Sequence, residues 1–234
     1  MKKTILLLLL TFVAWNTNAK HRNESDSSNL IIGVSGGAIF SNLNTDGFNN
    51  LIPSTLPALH KNFVSFTGAF NLYPGNSPLY TNFCVSSAIK KQENAGVRLE
   101  ENLNFFDVNF AYDFLMQRKQ SLYAALGVGQ LMYQASYYSD QPNLSFSGAA
   151  AGQSGERSFR LKPLYYLNVK GGYSHRISKK VPFSLGLEGG YRIGLNNRPW
   201  ALYDNSLSNS PKQNASGAFV SLSLIVLDRF GKKK

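Results

Sequence analysis

The sequence predicts an all-β fold: an eight-stranded antiparallel up-and-down transmembrane β-barrel over residues 30–230. Three observations predict it. Eight segments alternate apolar and polar residues with a period of two, as strands with one apolar face require. The connections between them are short and long by turns, the plan of a barrel with tight turns on one rim and loops on the other. The chain opens with a secretory leader, and no later apolar run is long enough for a membrane helix, which needs about 20 residues.

The leader occupies residues 1–19. Met1-Lys2-Lys3 is basic, residues 4–14 are almost wholly apolar, and Trp15-Asn16-Thr17-Asn18-Ala19 makes a small-residue exit. Cleavage is expected after Ala19, and no cysteine lies near it for lipid attachment. Residues 20–29 (KHRNESDSSN) read as a flexible tail and residues 231–234 as a basic one. The formal charge is +11, and loss of Lys2 and Lys3 leaves 11 − 2 = +9. In an exported chain with cations near its turns and C-terminus, that surplus points to anionic lipid headgroups rather than nucleic acid. A lone Cys84 excludes an internal disulfide framework.

The strands fall at 30–40, 62–73, 79–90, 102–115, 121–137, 159–175, 181–195 and 218–227. In the first, Leu30, Ile32, Val34, Ala38 and Phe40 share a face opposite Gly33, Ser35 and Gly37. In the fourth, Phe106, Val108, Phe110, Tyr112 and Phe114 oppose Asp107, Asn109 and Asp113, with Leu103 and Phe105 blurring the polar side. The sixth sets Leu161, Tyr165, Leu167, Val169 and Tyr173 against Lys162, Asn168 and Lys170. The seventh sets Phe183, Leu185, Leu187, Tyr191 and Ile193 against Ser184, Glu188 and Arg192. The expected short turns are 74–77, 116–120 and 176–180; the expected long loops are 41–61, 91–101, 138–158 and 196–217.

Facing residues of a hairpin must point to the same side. A turn centred on Arg118 lets Val108 face Val128, and one centred on Ser178 lets Val169 face Leu187. The first short hairpin changes parity, so it needs an even number of turn residues, which Pro74 to Ser77 supplies. The polar face carries Asp107, Asp113, Lys162, Lys170, Glu188 and Arg192. Eight strands enclose only enough room for side chains, so these charges are expected to pair as a structural lumen network. Tyr112, Phe114, Tyr173 and Phe183 toward one rim, and Phe40 and Tyr165 toward the other, form aromatic girdles. A soluble lipocalin-like barrel would reverse the faces; one-sided loops and charges on the Gly/Ser face favour the membrane.

Four segments carry a resemblance: 103–115 (LNFFDVNFAYDFL), 122–132 (LYAALGVGQLM), 167–173 (LNVKGGY) and 183–196 (FSLGLEGGYRIGLN). The last holds a Glu-x-x-Tyr-Arg-x-Gly-Leu run from Glu188 to Leu195. The chain resembles the eight-stranded outer-membrane β-barrel domain family of OmpX/OmpA type, in its Bacteroidota form, across about 30–230. The resemblance implies a multi-pass outer-membrane protein, with outer-membrane lipids and the barrel-insertion machinery as partners. Its PorT-like branch implies a partner in the envelope or in a secretion complex. Phe230 would be the aromatic residue that the machinery reads; Gly231-Lys232-Lys233-Lys234 behind it is a departure.

No catalytic, cofactor or metal site is legible. His21, His60 and His175 lie in separate regions without metal-ligand spacing. A lipid-modifying enzyme needs His, Ser and an acid at one depth; His175 with Ser174 and Glu188 imitates this, but His175 has lipid-face parity. Glu188, Arg192 and Lys170 read as a charge ladder lining a narrow channel or as a satisfied interior network. Cys84 reads as a small lumen residue, and 147–152 (SGAAAG) as a linker or binding loop. Phe48, Leu51, Ile52, Pro53, Leu56 and Pro57 make the first loop a partner surface or a cap over the barrel. The expected task is non-enzymatic: envelope integrity, surface contact or an accessory role in secretion.

Overall fold

The computed structural model describes residues 30–74, 77–94, 96–115, 120–139, 155–177, 183–202, 205–207 and 209–229. The expected leader, the two tails, Phe230, residues 147–152 and the turn centre Ser178 lie outside the described residues. Eight long strands form the wall: β1 (Leu30–Asn42), β2 (Asn62–Pro74), β3 (Leu79–Asn94), β4 (Val97–Asp113), β5 (Gln120–Ser139), β7 (Leu164–Arg176), β8 (Phe183–Gly194) and β12 (Gly217–Arg229). Each pairs antiparallel with the next, and β12 returns to β1 from Ile31↔Arg229 to Ser41↔Phe219. The barrel is therefore closed, and its ladder has no free edge.

Four short strands, β6 (Glu156–Leu161), β9 (Arg198–Leu202), β10 (Asn205–Ser206) and β11 (Lys212–Gln213), extend the wall beyond the long-loop rim. There β6 takes over from β7 as the partner of β5, and β9 adds to β6. The helix α1 (Asp46–Asn49) lies in the first loop.

The facing follows the alternation. Val34, Phe66, Val85, Phe106, Leu126, Val169, Leu187 and Val220 point out and are exposed. Asn82, Cys84, Asp107, Asn109, Asn168, Lys170 and Arg192 point in and are buried. This inverts the soluble arrangement and makes the apolar surface a belt that only lipid can cover. Inward glycines give the interior its room: a Cβ on Gly129 would stand 2.6 Å from Asp107 Oδ1 and from Tyr166 Cζ, and one on Gly172 2.5 Å from the Tyr123 ring.

Three expectations are corrected. The connection expected at 91–101 is mostly strand: β3 and β4 run on to Asn94↔Val97, where the hairpin reverses, with Gly96 at φ 76°. Its polar residues hide the alternation, but cross-strand pairs hold it, Lys91 against Glu100 and Glu93 against Arg98. Next, Val169 faces Tyr191, not Leu187, which lies opposite Tyr173; the shift is even, so the facing survives.

The third correction concerns the segment 159–175, which is not one strand. It breaks at Lys162-Pro163. Proline offers no N–H to a ladder, and here β5 advances three residues, from Leu131 to Gln134, while its partners move four, from Leu164 to Arg160. The extra residue reverses parity as a bulge does. Leu161 therefore turns inward and is buried, and Lys162 stands exposed outside the barrel.

Candidate functional site

The barrel interior is filled in layers, and each is built by residues from several strands. In the middle lies a polar network. Lys170 on β7 reaches Glu188 on β8, Nζ to Oε2 at 2.9 Å, and donates to Asn82 Oδ1 on β3 at 3.3 Å. Tyr123 on β5 donates to the same Glu188 oxygen at 2.7 Å. Asn82 donates to Asn71, Asn109 to Asn82, and Asn168 to Asn109, at 2.8, 3.1 and 3.0 Å. Tyr166 closes the chain by donating to Asp107 at 2.6 Å. A buried ion pair is retained only when further hydrogen bonds satisfy its remaining lone pairs and protons, and this one has them.

Arg192 sits one layer nearer the long loops, 1% exposed. It does not pair with Glu188, four residues before it. Its guanidinium instead lies 4.2 Å from the Phe105 ring centroid, 4.6 Å from Phe219 and 5.7 Å from Tyr166, a cation among π faces. Of the six charges expected in one network, four lie in this interior: Asp107, Lys170, Glu188 and Arg192. Asp113 stands at the short-turn rim, where its carboxylate accepts from the Leu115 N–H. Lys162 is outside altogether. Below the network a cavity of about 60 Å³ remains, lined by Asn71, Asn82, Cys84, Tyr123, Lys170 and Glu188 among others. Cys84 Sγ lies 3.1 Å from Thr67 Oγ1. Tyr73, Tyr80 and Tyr123 crowd its short-turn end, with centroids 4.6 and 5.9 Å apart.

Toward the long loops the lumen is apolar. Leu99, Leu103, Phe105, Leu131, Tyr133 and Trp200 lie in a single buried cluster that also takes in the first loop. Phe48 of α1 enters it and meets Trp200 at 4.8 Å and Phe159 at 5.5 Å between centroids. Ile52 and Leu56 pack against its edge, while Leu51 stays exposed. Of the two readings open for this loop, the packing selects the cap.

Strand side chains fasten the cap by its backbone. Tyr137 donates to Pro57 O at 2.9 Å and Gln92 to Ala58 O at 2.6 Å. The Asn49 side chain bridges Leu59, accepting from its N–H at 2.7 Å and donating to its carbonyl at 2.9 Å. The fully buried Glu101 accepts from the His60 N–H, from His60 Nδ1 and from the Tyr133 hydroxyl. Glu101 escaped the sequence reading because it fell in an expected loop. Its pairing with His60 spans 41 residues of chain, which no local pattern reveals. The complementary Lys90↔Glu101 and Lys91↔Glu100 positions were the one available signal.

His60 and Glu101 thus converge, with a tyrosine as the third member. His175 is exposed on the outer face, with Nδ1 3.5 Å from the Tyr173 hydroxyl. Among the described residues, no cluster of His, Cys, Asp or Glu is arranged to hold a metal ion.

No family model matches the chain, and no curated relative matches it. Solved structures do. The chain is similar to a major outer membrane protein of Thermus thermophilus, at 11% identity and a TM-score of 0.57, over 85% of this chain and 99% of that one. It is also similar to Ail, the attachment invasion locus protein of Yersinia pestis, in complex with the heparin analogue sucrose octasulfate. That match has 12% identity and a TM-score of 0.51, over 86% of this chain and 100% of that one. Matches at such identities establish the architecture. With its lipid-facing belt and filled lumen, the chain has the fold of the eight-stranded barrels of the bacterial outer membrane.

Proposed function

We propose that the protein is a non-enzymatic, multi-pass barrel of the bacterial outer membrane that acts through its outward face, presenting a rigid surface rather than conducting solute. The observation that carries this reading is the closure of the mouth. The first loop sits in the same apolar core as the upper barrel wall, and the ionic layer beneath it is hydrogen-bonded across the lumen. A conduit would need a wet path, and Phe105, Tyr133, Tyr166 and Trp200 occupy it, each buried to within 2%. The rim strands and loops then serve surface contact or envelope integrity. Similarity of 183–196 to the Bacteroidota form adds an accessory role in a secretion complex. The barrel-insertion machinery is a partner during assembly. Planar-bilayer recording of the purified protein is expected to show no stable large conductance, and crosslinked pull-down from native membranes to return a surface or envelope partner. Reproducible porin-sized steps would overturn the reading.

A further inference from the structure

The cations above the lipid belt are unevenly treated. Lys61 is paired with Asp46 at 2.7 Å, Lys91 with Glu100 at 3.0 Å, and Arg98 lies 4.9 Å from the Tyr138 ring centroid. On the side sheet of β6, β9 and β11 the situation differs. Arg160, Lys162, Arg198 and Lys212 are all exposed. Among the described residues none of them has a carboxylate within ion-pair distance.

Register places two of these, Arg160 and Lys212, on one face, and the exposed Lys162 follows the buried Leu161 just past the end of β6. Arg160 pairs with Gln134 on one side and Ala201 on the other, and Lys212 pairs with Pro199. Their alternation partners Leu161, Trp200 and Gln213 are buried, so Arg160, Lys162 and Lys212 point away from the barrel across a floor of Ala201 and Pro199. Height follows from β5. Tyr165, half exposed, ends the apolar belt on β7, next to Leu164, which pairs with Leu131. Arg160 pairs three residues farther along β5, about 10 Å at the rise of a strand and less along the membrane normal once the strand tilts. The headgroup layer is about 5–8 Å thick on each side of the hydrocarbon. Arg160 thus stands at the level of lipid phosphates, Lys162 and Lys212 lie within two ladder positions of it, and among the described residues none of the three has a carboxylate within ion-pair distance.

We infer that the outward face of β6, β9 and β11 is a docking surface for the phosphate-bearing headgroups of anionic lipid in the surrounding leaflet, with Arg160, Lys162 and Lys212 as its contacts. This rests on the membrane-spanning reading and adds a chemical class of ligand and a place for it. Arg160 offers a planar fork for phosphate, the two lysines offer point charges, and the small floor residues let a headgroup approach.

The test uses the full chain folded into vesicles of phosphatidylcholine, with and without a minority of phosphatidylglycerol. The readout is the phosphatidylglycerol retained per protein, relative to bulk, after limited detergent extraction. A Lys or Arg at an anionic surface is worth about a fivefold enrichment. The wild type is expected to show at least that, and Arg160→Ser/Lys162→Ser/Lys212→Ser to fall toward one while keeping heat-modifiable mobility in pure phosphatidylcholine. A control variant, Lys61→Ser/Lys91→Ser/Arg98→Ser, removes as many cations and is expected to keep the enrichment. Retention by the first variant, or equal loss in the control, overturns the inference. Abolition of the enrichment by inorganic phosphate at low millimolar concentration, with ionic strength held constant, would assign the face to a soluble anion and overturn the lipid source. Failure of the wild type to fold in vesicles would count against the membrane barrel itself, a separate result.

Discussion

Glu188→Leu isolates the ionic layer of the lumen. The change removes the carboxylate that holds Lys170 at 2.9 Å and Tyr123 at 2.7 Å. Lys170, 8% exposed, keeps only its 3.3 Å bond to Asn82. Breaking a buried pair by deleting one partner costs about 3–5 kcal/mol, because the remaining charge is left uncompensated. The neighbouring Leu187 faces lipid, and Leu187→Arg is expected to cost about 2–4 kcal/mol near the midplane. Both variants lose stability, so the loss alone does not separate the two faces. Adding Lys170→Met does. Glu188→Leu/Lys170→Met removes the stranded cation and is expected to recover at least half of the loss. Recovery stays incomplete because the Tyr123 hydroxyl still lacks its acceptor, at about 1–3 kcal/mol. Arg192→Leu is expected to give no rescue, since that guanidinium is held among Phe105, Phe219 and Tyr166. Neither second change is expected to help Leu187→Arg. The assay is the urea midpoint of heat-modifiable mobility, read as a double-mutant cycle. Rescue by Arg192→Leu but not by Lys170→Met would refute the assigned pairing, and rescue of Leu187→Arg would refute the facing.

Phe48→Ala is expected to cost about 3–5 kcal/mol locally, through loss of the Trp200 and Phe159 contacts; proteolysis within 43–61 should accelerate while the barrel keeps its mobility shift. Lys162→Gln is expected to move the urea midpoint in phosphatidylcholine by less than about 0.5 kcal/mol, as at an exposed position, whereas Lys170→Gln should cost several times more. Burial, and then the nearby Glu101 carboxylate, raises the Tyr137 phenol above its ordinary value near 10. The unfolded chain therefore releases that proton first, and the contribution to stability, complete below about pH 10, falls as pH rises beyond it. The urea midpoint should decline above that pH, and Tyr137→Phe should make the decline shallower. The mature protein is expected to begin near Lys20 and to fractionate with outer membranes; recovery of folded protein from the soluble periplasm would contradict this.

Period-two alternation determined which residues share a face of the wall, and the one-sided long loops with charges on the Gly/Ser face decided which face is outside. Because successive side chains of a strand point to opposite faces, Val34, Phe66, Leu187 and Val220 had to leave the barrel together, and Asp107, Lys170 and Glu188 had to enter it. Hairpin parity settled the facing even where the exact partner was displaced, as with Val169 and Tyr191, since an even shift changes no face. What alternation does not encode is height around a closed wall. Which charges meet depends on stagger between strands far apart in the chain, so Glu188 found Lys170 and Tyr123 while Arg192 found aromatic rings. One proline reversed the parity of Leu161 and Lys162, a local event with consequences only once β5 had to change partners. The cap is the extreme case. His60 reaches Glu101 and Phe48 reaches Trp200 across long stretches of chain, and only closure of the barrel brings those residues to one mouth.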